Sequence, residues 1–392
     1  MSDAPLHRRF RAVALIAPLL VFLCLFFAWP LVTMMKQAVS DPVVAEALPR
    51  VAVAASGWDR KSPPPPDLKK ALIEDLRALD NDETLGDVTR RLNSAQSGFR
   101  TLMGKTVRAA KGAEPVDLEE LDERWKDLAY WHAMVAAATS PYTDRNLLAA
   151  VDLQRNAAGE IESLPADASA NRDIIERTFV ISALVTLFCI AIGLPYAMIA
   201  ASVTGWRRQA MLGAVLLPLW TSLLVRTAAW FVLLQDNGLV NGLLQWLGLI
   251  ERPLPLIFNR LGVVVAMTHV LLPFMVLPIF SVLIAIPKNL MPAAASLGAP
   301  PLRAFWRVLL PLSLRGVVSG ALLVFMAAIG YYITPALIGG PKDQMISSVI
   351  AFYAVNAANW SMAGALGIVL LVATVLLYAL YNRLSGPDTV RP

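Results

Sequence analysis

The apolar positions of this chain fall into two patterns, and each predicts a different kind of element. Residues 12–35, 178–206, 261–287 and 316–341 form long apolar runs with no Asp, Glu, Lys or Arg, and about 20 such residues cross the hydrocarbon core of a bilayer as a helix. A further span lies within 344–382, from about Met362 onward, because the polar Asn356 and Asn359 precede its mainly aliphatic part. Another covers about 209–234 and is interrupted by Arg226 alone. Six spans predict an all-α membrane body, with both termini on one side. Between the first two spans the pattern changes. Leu68, Leu72, Leu76 and Leu79 recur at helical spacing, as do Leu85, Val88, Leu92 and Phe99, and then Leu118, Leu121, Trp125, Leu128 and Val135. The predicted organisation is an amino terminus and first transmembrane helix over 1–40, a helical insert over 41–173 and a five-helix body over 174–384. A loop over 288–311 interrupts that body, and a tail of 385–392 follows it. Pro63 to Pro66 predict a polyproline linker leading into the insert.

Composition agrees with a lipid solvent: 57% of the 392 residues are hydrophobic, 16% are charged, and the mean hydropathy is +0.57. The charge is segregated. Residues 36–177 hold 24 of the 29 acids and 19 of the 34 bases, a net −5, which leaves the remainder at +10. Basic residues near the span ends set orientation. Arg8, Arg9 and Arg11 precede the first span, Arg207 and Arg208 separate the second and third, and Lys288, Arg303, Arg307 and Arg315 lie between the fourth and fifth. Arg383 and Arg391 follow the last, while the opposite loops offer Arg252, Arg260 and Lys342. This bias predicts cytoplasmic termini, a cytoplasmic 288–311 loop and an external insert. The basic excess belongs to the membrane surface and its lipid, and no nucleic-acid partner is expected. Cleavage of the first span as a signal peptide, near the small Ala38 and Ser40, competes with this reading. The apolar run is longer than a signal core and continues through Met34 and Met35. Cys24 and Cys189 both fall in predicted spans, so the insert holds no disulfide.

Enzyme chemistry finds little support. The stretch GFRTLMGKT ends in Gly104, Lys105 and Thr106, but five residues rather than four separate Gly98 from the Gly-Lys pair, and no strand precedes it. Lys105 reads instead as part of a solvated helix face. The histidines His7, His132 and His269 are scattered without i+4 partners, so no metal site is expected, and His132 is expected to pack or solvate beside Trp131. Candidate pathway or gate residues are those with polar chemistry at membrane depth: Arg226 with Asp236 ten residues later, His269, and the aromatic Trp230, Tyr331 and Tyr332. Arg226 has a plainer reading, an outward reach to Asp236 or a carbonyl. His269 has one as a helix-packing side chain, and the aromatic residues, with Trp220 and Trp360, have one as interfacial anchors. Outside residues 36–177 the acids are Asp3, Asp236, Glu251, Asp343 and Asp388, a sparse lining for a cation. Gly193, Pro195, Pro218, Pro273, Pro278, Gly330 and Pro335 interrupt the spans, although glycine and proline are common in membrane helices.

The loop reads AAASLGAPPLRAFWRVLLP from Ala293 to Pro311. Small Ala293, Ala294 and Ala295 allow close approach to another protein, Gly298 permits a turn, and Pro300 and Pro301 start a second helix. Arg303 and Arg307 give that helix a cationic face, and an amphipathic stretch on anionic lipid is the alternative. Ala293, Ala294, Gly298, Val308, Leu310 and Pro311 have the spacing of the "EAA" loop, and in this the chain resembles the membrane-spanning subunits of binding-protein-dependent ABC importers. The family's glutamate position holds Pro292. Residues 172–383 resemble more softly the spermidine and putrescine permeases, through RTFVISALVTLFCIAIGLPYAMIAA, LPLWTSLLVRTAAWFVLLQDNGLVN and ITPALIGGPKDQMISSVI. The long insert departs from their shorter common form.

The resemblance implies a permease subunit of a bacterial inner-membrane ABC importer, with a coupling helix at 288–311 seated in an ATPase subunit. It implies no cofactor in this chain, ATP and Mg being bound by a separate ATPase dimer. A second homologous permease completes the pore, an extracytoplasmic solute-binding protein delivers a small organic solute such as a polyamine, and the insert docks or restrains that protein. The alternative class is an ion-coupled secondary transporter or a membrane sensor with an external ligand domain. No inverted repeat is visible, and only nine residues follow Arg383.

Overall fold

The computed structural model describes residues 4–79, 81–112, 116–156, 160–165, 169–357 and 359–385. Asp3, Asp388, Arg391 and the tail beyond 385 lie outside the described residues. The chain forms two compact units, Met1–Leu164 with Asn359–Val369, and Pro165–Ala358 with Leu370–Pro392.

The first unit begins with the first span, Ala4–Leu23 and Trp29–Val39, joined by a wide π-helical turn over Cys24–Ala28. The cause stands just beyond it. Pro30 has no N–H for the carbonyl four residues back and its ring collides with that carbonyl, so the helix loosens by one residue there. Leu15, Phe26 and Phe27 are exposed, as suits side chains whose solvent is lipid. Near the end of this span the start of the last helix, Trp360–Ser385, comes close: a Cβ on Gly364 would stand 2.5 Å from the Met34 carbonyl.

The insert follows at once. Two short helices, Pro42–Ala47 and Pro49–Ala54, each have a proline in the first turn, where a missing N–H costs nothing. They belong to the insert's core through Val44, Leu48, Val51 and Trp58. The Pro63–Pro66 stretch is therefore a bend inside the insert and not its leading linker. Helices Pro66–Ala78, Asp82–Ala95, Phe99–Ala110 and Leu128–Thr139 complete the body. Asn81, Asp117, Asp122 and Asp127 begin helical turns by accepting a backbone N–H two residues on. Leu68, Leu72, Leu76, Val88, Leu92, Phe99, Leu118, Trp125 and Val135 are buried, while Leu79, Leu85, Leu121 and Leu128 are half-buried, so the helical periodicity named much of the core. At its centre Trp125 lies 4.9 Å from Trp131 and 6.4 Å from Phe99, ring to ring. Their polar edges are met: Trp125 Nε1 donates to Thr106 Oγ1 at 3.1 Å and Trp131 Nε1 to the Trp125 carbonyl at 2.8 Å. Asp75 is buried beside Arg50 and accepts the Val51 N–H at 3.0 Å; burial pushes its carboxyl above the usual range. The insert is not wholly helical, since Leu153–Arg155 and Ile161–Ser163 pair as a small antiparallel hairpin. His132 packs on Trp58 and bonds the Arg60 carbonyl rather than standing beside Trp131. Lys105 lies on an exposed helix face and pairs with Asp122 at 2.9 Å.

The second unit is built on three long helices, Asn171–Ser202, Arg260–Ala285 and Pro301–Ile329. Lipid gives apolar helices no hydrophobic reason to associate, so close backbone approach must supply the contact. Gly193, Gly316 and Gly320 do this: an added Cβ would meet Met275 Cγ at 2.9 Å, Ile279 Cα at 2.8 Å and Met275 Sδ at 2.9 Å. Arg208, expected only as a topology signal, donates to the Val203 and Ala201 carbonyls at 2.8 and 3.2 Å and so closes the end of Asn171–Ser202.

Two predicted spans differ from expectation. The run 209–234 is a broken pair, Trp206–Trp220 and Leu223–Leu233, bent by 100°. Pro218 sits in the last turn before the break, and Thr221 turns its Oγ1 back to the Pro218 carbonyl at 3.0 Å. Five described helices can therefore cross a membrane singly, and the pair makes the sixth span. The run 316–341 is shifted: its helix begins at Pro301 and ends at Ile329, and a separate short helix, Ile333–Ile338, follows. Proline again loosens the path, with a π-turn over Phe305–Leu309 just before Pro311.

Gly316→Leu is expected to lower thermal stability in detergent by about 1–3 kcal/mol, since its nearest obstacle is backbone. Gly213→Ala, with open space around it, should leave the melting temperature unchanged. In the insert, Arg124 and Lys105 hydrogen bonds hold the Asp122 carboxyl well below the usual carboxylate range. A depressed folded value gives stability that is present above the unfolded value near ~3.9 and lost as pH falls toward the folded one. Asp122→Asn keeps the cap but loses the charge on both bonds, so it should cost about 1–2 kcal/mol near neutral pH and flatten this acid dependence, read by hydrogen exchange across 99–131 in the full chain.

Candidate functional site

Two constellations carry the chemistry, both in the second unit. The first is an elbow. Helix Leu290–Ser296 ends where Gly298 takes φ +79°, the Gly298 N–H reaching the Ala295 carbonyl at 2.9 Å and the Ala299 N–H the Ala294 carbonyl at 3.0 Å. That pair of bonds is a Schellman close, in which glycine takes the left-handed position at little steric cost. Pro300 is extended, Pro301 opens the next helix, and that helix runs unbroken through its π-turn to Ile329. Ala293, Ala295, Arg303, Arg307 and Pro311 are exposed, while Ala294 and Leu310 are half-buried. Leu297, Leu302 and Trp306 extend the exposed surface, with Leu297 89% accessible. The elbow thus presents an apolar ridge edged by two arginines, and its second arm is itself a membrane span.

The second constellation gathers four of the six candidate pathway residues. Arg226 lies in the first turn of Leu223–Leu233, just past the 100° break, with Trp230 one turn on. Trp230 Nε1 donates to His269 Nδ1 at 3.1 Å, and the rings meet edge to face at 5.5 Å. As the acceptor, Nδ1 carries no proton, so the imidazole proton is on Nε2. The Arg226 charge bears on both His269 and the half-buried Tyr331. Its Nε and Nη1 are buried with no hydrogen-bond partner among the described residues. The expected bond to Asp236 or a carbonyl is not formed; Asp236 is exposed in the loop that follows. Tyr332 is also exposed and contributes its carbonyl, which accepts from Ser348 Oγ at 3.2 Å. Beside the Trp230–His269 pair lies a cavity of about 580 Å³, walled largely by Leu184, Phe188, Ile192 and Leu272.

Several residues that secure this site carried no sequence signal. Thr227 and Thr334 share a hydroxyl bond of 3.2 Å, tying the half-span that bears Arg226 to the short helix after Tyr331. Asn241 binds the Gln235 and Leu254 carbonyls and accepts the Leu254 N–H. Arg260 and Asp343 pair at 3.4 Å, which removes one of the few acids available to a passing cation. A lone buried Asn between two glycines, Gly238 and Gly242, was the one visible hint.

Residues 178–386 match the family model described as binding-protein-dependent transport system inner membrane component. The chain is 32% identical over 213 residues to the spermidine/putrescine transport system permease protein PotB of Escherichia coli (strain K12), covering 54% of this chain and 78% of that one. It is also 32% identical over 235 residues to the inner membrane ABC transporter permease protein YdcU of the same organism, covering 56% and 74%. Among solved structures, a bacterial alginate ABC transporter in complex with an alginate pentasaccharide-bound periplasmic protein aligns at TM-score 0.47 and 20% identity. That alignment covers 56% of this chain and 80% of its own.

A β-branched side chain strains a left-handed residue. Gly298→Val should therefore open the helix end and speed amide exchange at 293–299 by about tenfold, corresponding to roughly 1–2 kcal/mol. Exchange in Arg260–Ala285 should stay as it is.

Proposed function

Because this chain belongs to the family of binding-protein-dependent transport system inner membrane components, a multi-pass transport subunit of the inner membrane, we propose that it lines the path of an ATP-driven importer for a polyamine such as spermidine or putrescine. The observation that carries the reading is the continuity of the elbow with a span. A push on Leu290–Ser296 travels through one helix from Pro301 to Ile329, which is locked to Arg260–Ala285 at Gly316 and Gly320. The far end of that lever is Tyr331, and the helix it is locked to carries His269. Closure of an ATPase dimer around the elbow therefore reaches the Arg226–His269–Tyr331 cluster through the single helix Pro301–Ile329, with Tyr331 two residues past its end. ATP and Mg belong to that partner, and the exposed Leu297, Leu302 and Trp306 with Arg303 and Arg307 are the surface it takes. The termini and elbow are cytoplasmic, and the insert is external, where it docks or restrains a solute-binding protein.

The polyamine assignment is supported by similarity to PotB and has a physical corollary. Two unit charges 4 Å apart interact by about 4 kcal/mol at an effective dielectric of 20, so Arg226 repels a polycation at close quarters. The path then holds its cargo weakly, selection rests with the binding protein, and Arg226 acts as a gate charge. A second, homologous permease supplies the facing half of the path.

Purification of the chain from its native membrane is expected to bring down an ATPase and a second permease, and the associated binding protein should bind spermidine or putrescine in calorimetry. A binding protein that ignores both and takes another solute would move the substrate assignment alone. Gly298→Asp, with a charge and a strained backbone at the elbow's corner, should cut ATP-driven uptake at least about tenfold while the chain still reaches the membrane. Unaltered uptake would sink the lever.

A further inference from the structure

The insert holds a cavity of about 780 Å³. Arg91 and Ser94 reach it from helix Asp82–Ala95, Thr143 and Arg145 from the turn that opens Arg145–Ala150, and Asp41 from the end of the first span. Arg91 Nε is paired with the Asp41 carboxylate, but Arg91 Nη1 is buried with no partner among the described residues. Arg145 Nη1 donates to Ser94 Oγ at 2.8 Å, and none of the ion pairs among the described residues includes Arg145. The carboxylate beside it in sequence, Asp144, is occupied by Arg155 at 2.9 and 2.7 Å. Three guanidinium groups thus line one cavity with two carboxylates, Asp41 and Asp144, and those two are paired with Arg91 and Arg155. Desolvation first, and the Arg91 charge second, hold Arg145 below the ordinary arginine value against the opposing pull of Asp41.

We propose that this cavity binds a small carboxylate-bearing solute, gripped by Arg91 Nη1 and the Arg145 guanidinium, with the Ser94 and Thr143 hydroxyls beside it. Asp41 leaves the site one net positive charge, which suits a carboxylate. A phosphate or sulfate dianion carries both charges on the one group set beside Asp41, whereas the second carboxylate of a dicarboxylate can stand away from Asp41 while the first meets a guanidinium fork to fork. The position gives the site leverage. Val39, on its wall, ends the first span, and there the Thr143 N–H bonds the Val39 carbonyl at 2.8 Å and Asn146 Nδ2 the Ala38 carbonyl at 3.3 Å. Gly364 packs on that same turn of helix, 3.3 Å from the Ala38 side chain at its would-be Cβ. A bound anion therefore stiffens the junction of insert, first span and last helix.

The test is calorimetry on the full chain in lipid nanodiscs, with succinate as probe and succinamide and sulfate as comparisons. Succinate should bind saturably at millimolar concentration or below, and succinamide should not. Arg145→Gln should weaken succinate binding by about tenfold or more. Arg145→Glu supplies the missing carboxylate from within, so it should abolish binding while raising the melting temperature, which separates loss of the site from loss of the fold. No saturable succinate binding by the parent chain, unchanged binding in Arg145→Gln, or sulfate binding as tight as succinate would each overturn the assignment.

Discussion

Met275 stands where three spans of the membrane unit meet, and the rest of the arrangement depends on it. It lies between two glycines of different helices, Gly193 and Gly320, either of which would collide with it at 2.9 Å if it bore a Cβ. Lipid competes with protein for apolar surface on equal terms, so helices in a bilayer stay together where their backbones approach more closely than lipid tails can. Methionine suits the position because its unbranched thioether bends to fill whatever gap the two backbones leave. Three spans are fixed to one another here, and the elbow's second arm is one of them.

From this contact the functional geometry follows in both directions. Toward the elbow, Gly316 continues the close packing, and the helix then passes through a π-turn that accommodates Pro311 without ending. Toward the other end, the chain leaves its helix at Ile329, and Tyr331 comes within reach of the Arg226 charge. The broken third span puts Arg226 just past a 100° bend. The Thr227–Thr334 bond then ties that half-span to the element following Tyr331. A rigid arm therefore ends on a cluster held by a hydroxyl pair and one Trp–His bond, the kind of weakly bonded arrangement that a lever can shift.

The two units solve the problem of charge in opposite ways. In the insert several ionic groups are paired, some doubly, as with Asp122 between Arg124 and Lys105, while Arg145 in its cavity is in no ion pair among the described residues. In the membrane unit charges are few, and the one at depth, Arg226, keeps two buried nitrogens unmet. Unpaired guanidinium nitrogens are costly wherever water is excluded. Two separate sites among the described residues thus carry guanidinium nitrogens with no partner of their own.

Much of this was legible in the sequence wherever the cause is local. The apolar runs gave the spans, the 3.6-residue recurrence of leucines gave the insert's helices and much of its core, and a glycine followed by Pro300 and Pro301 gave the elbow. Each depends on residues adjacent in the chain, through helix period, the left-handed freedom of glycine and the fixed φ of proline. The 100° break was not read, since Pro218 is one of several prolines in the spans and the others leave their helices continuous. Which helix faces meet was not readable either. In lipid both buried and exposed faces are apolar, so the periodicity that reveals a core in the insert carries no such information in the spans. The Met275 contact, the Trp230–His269 bond, the Arg260–Asp343 pair and the paired arginines of the insert join residues between 39 and 83 positions apart, or on different helices. Only the tertiary structure decides these, because they are distances in space between groups whose local sequence is compatible with many arrangements.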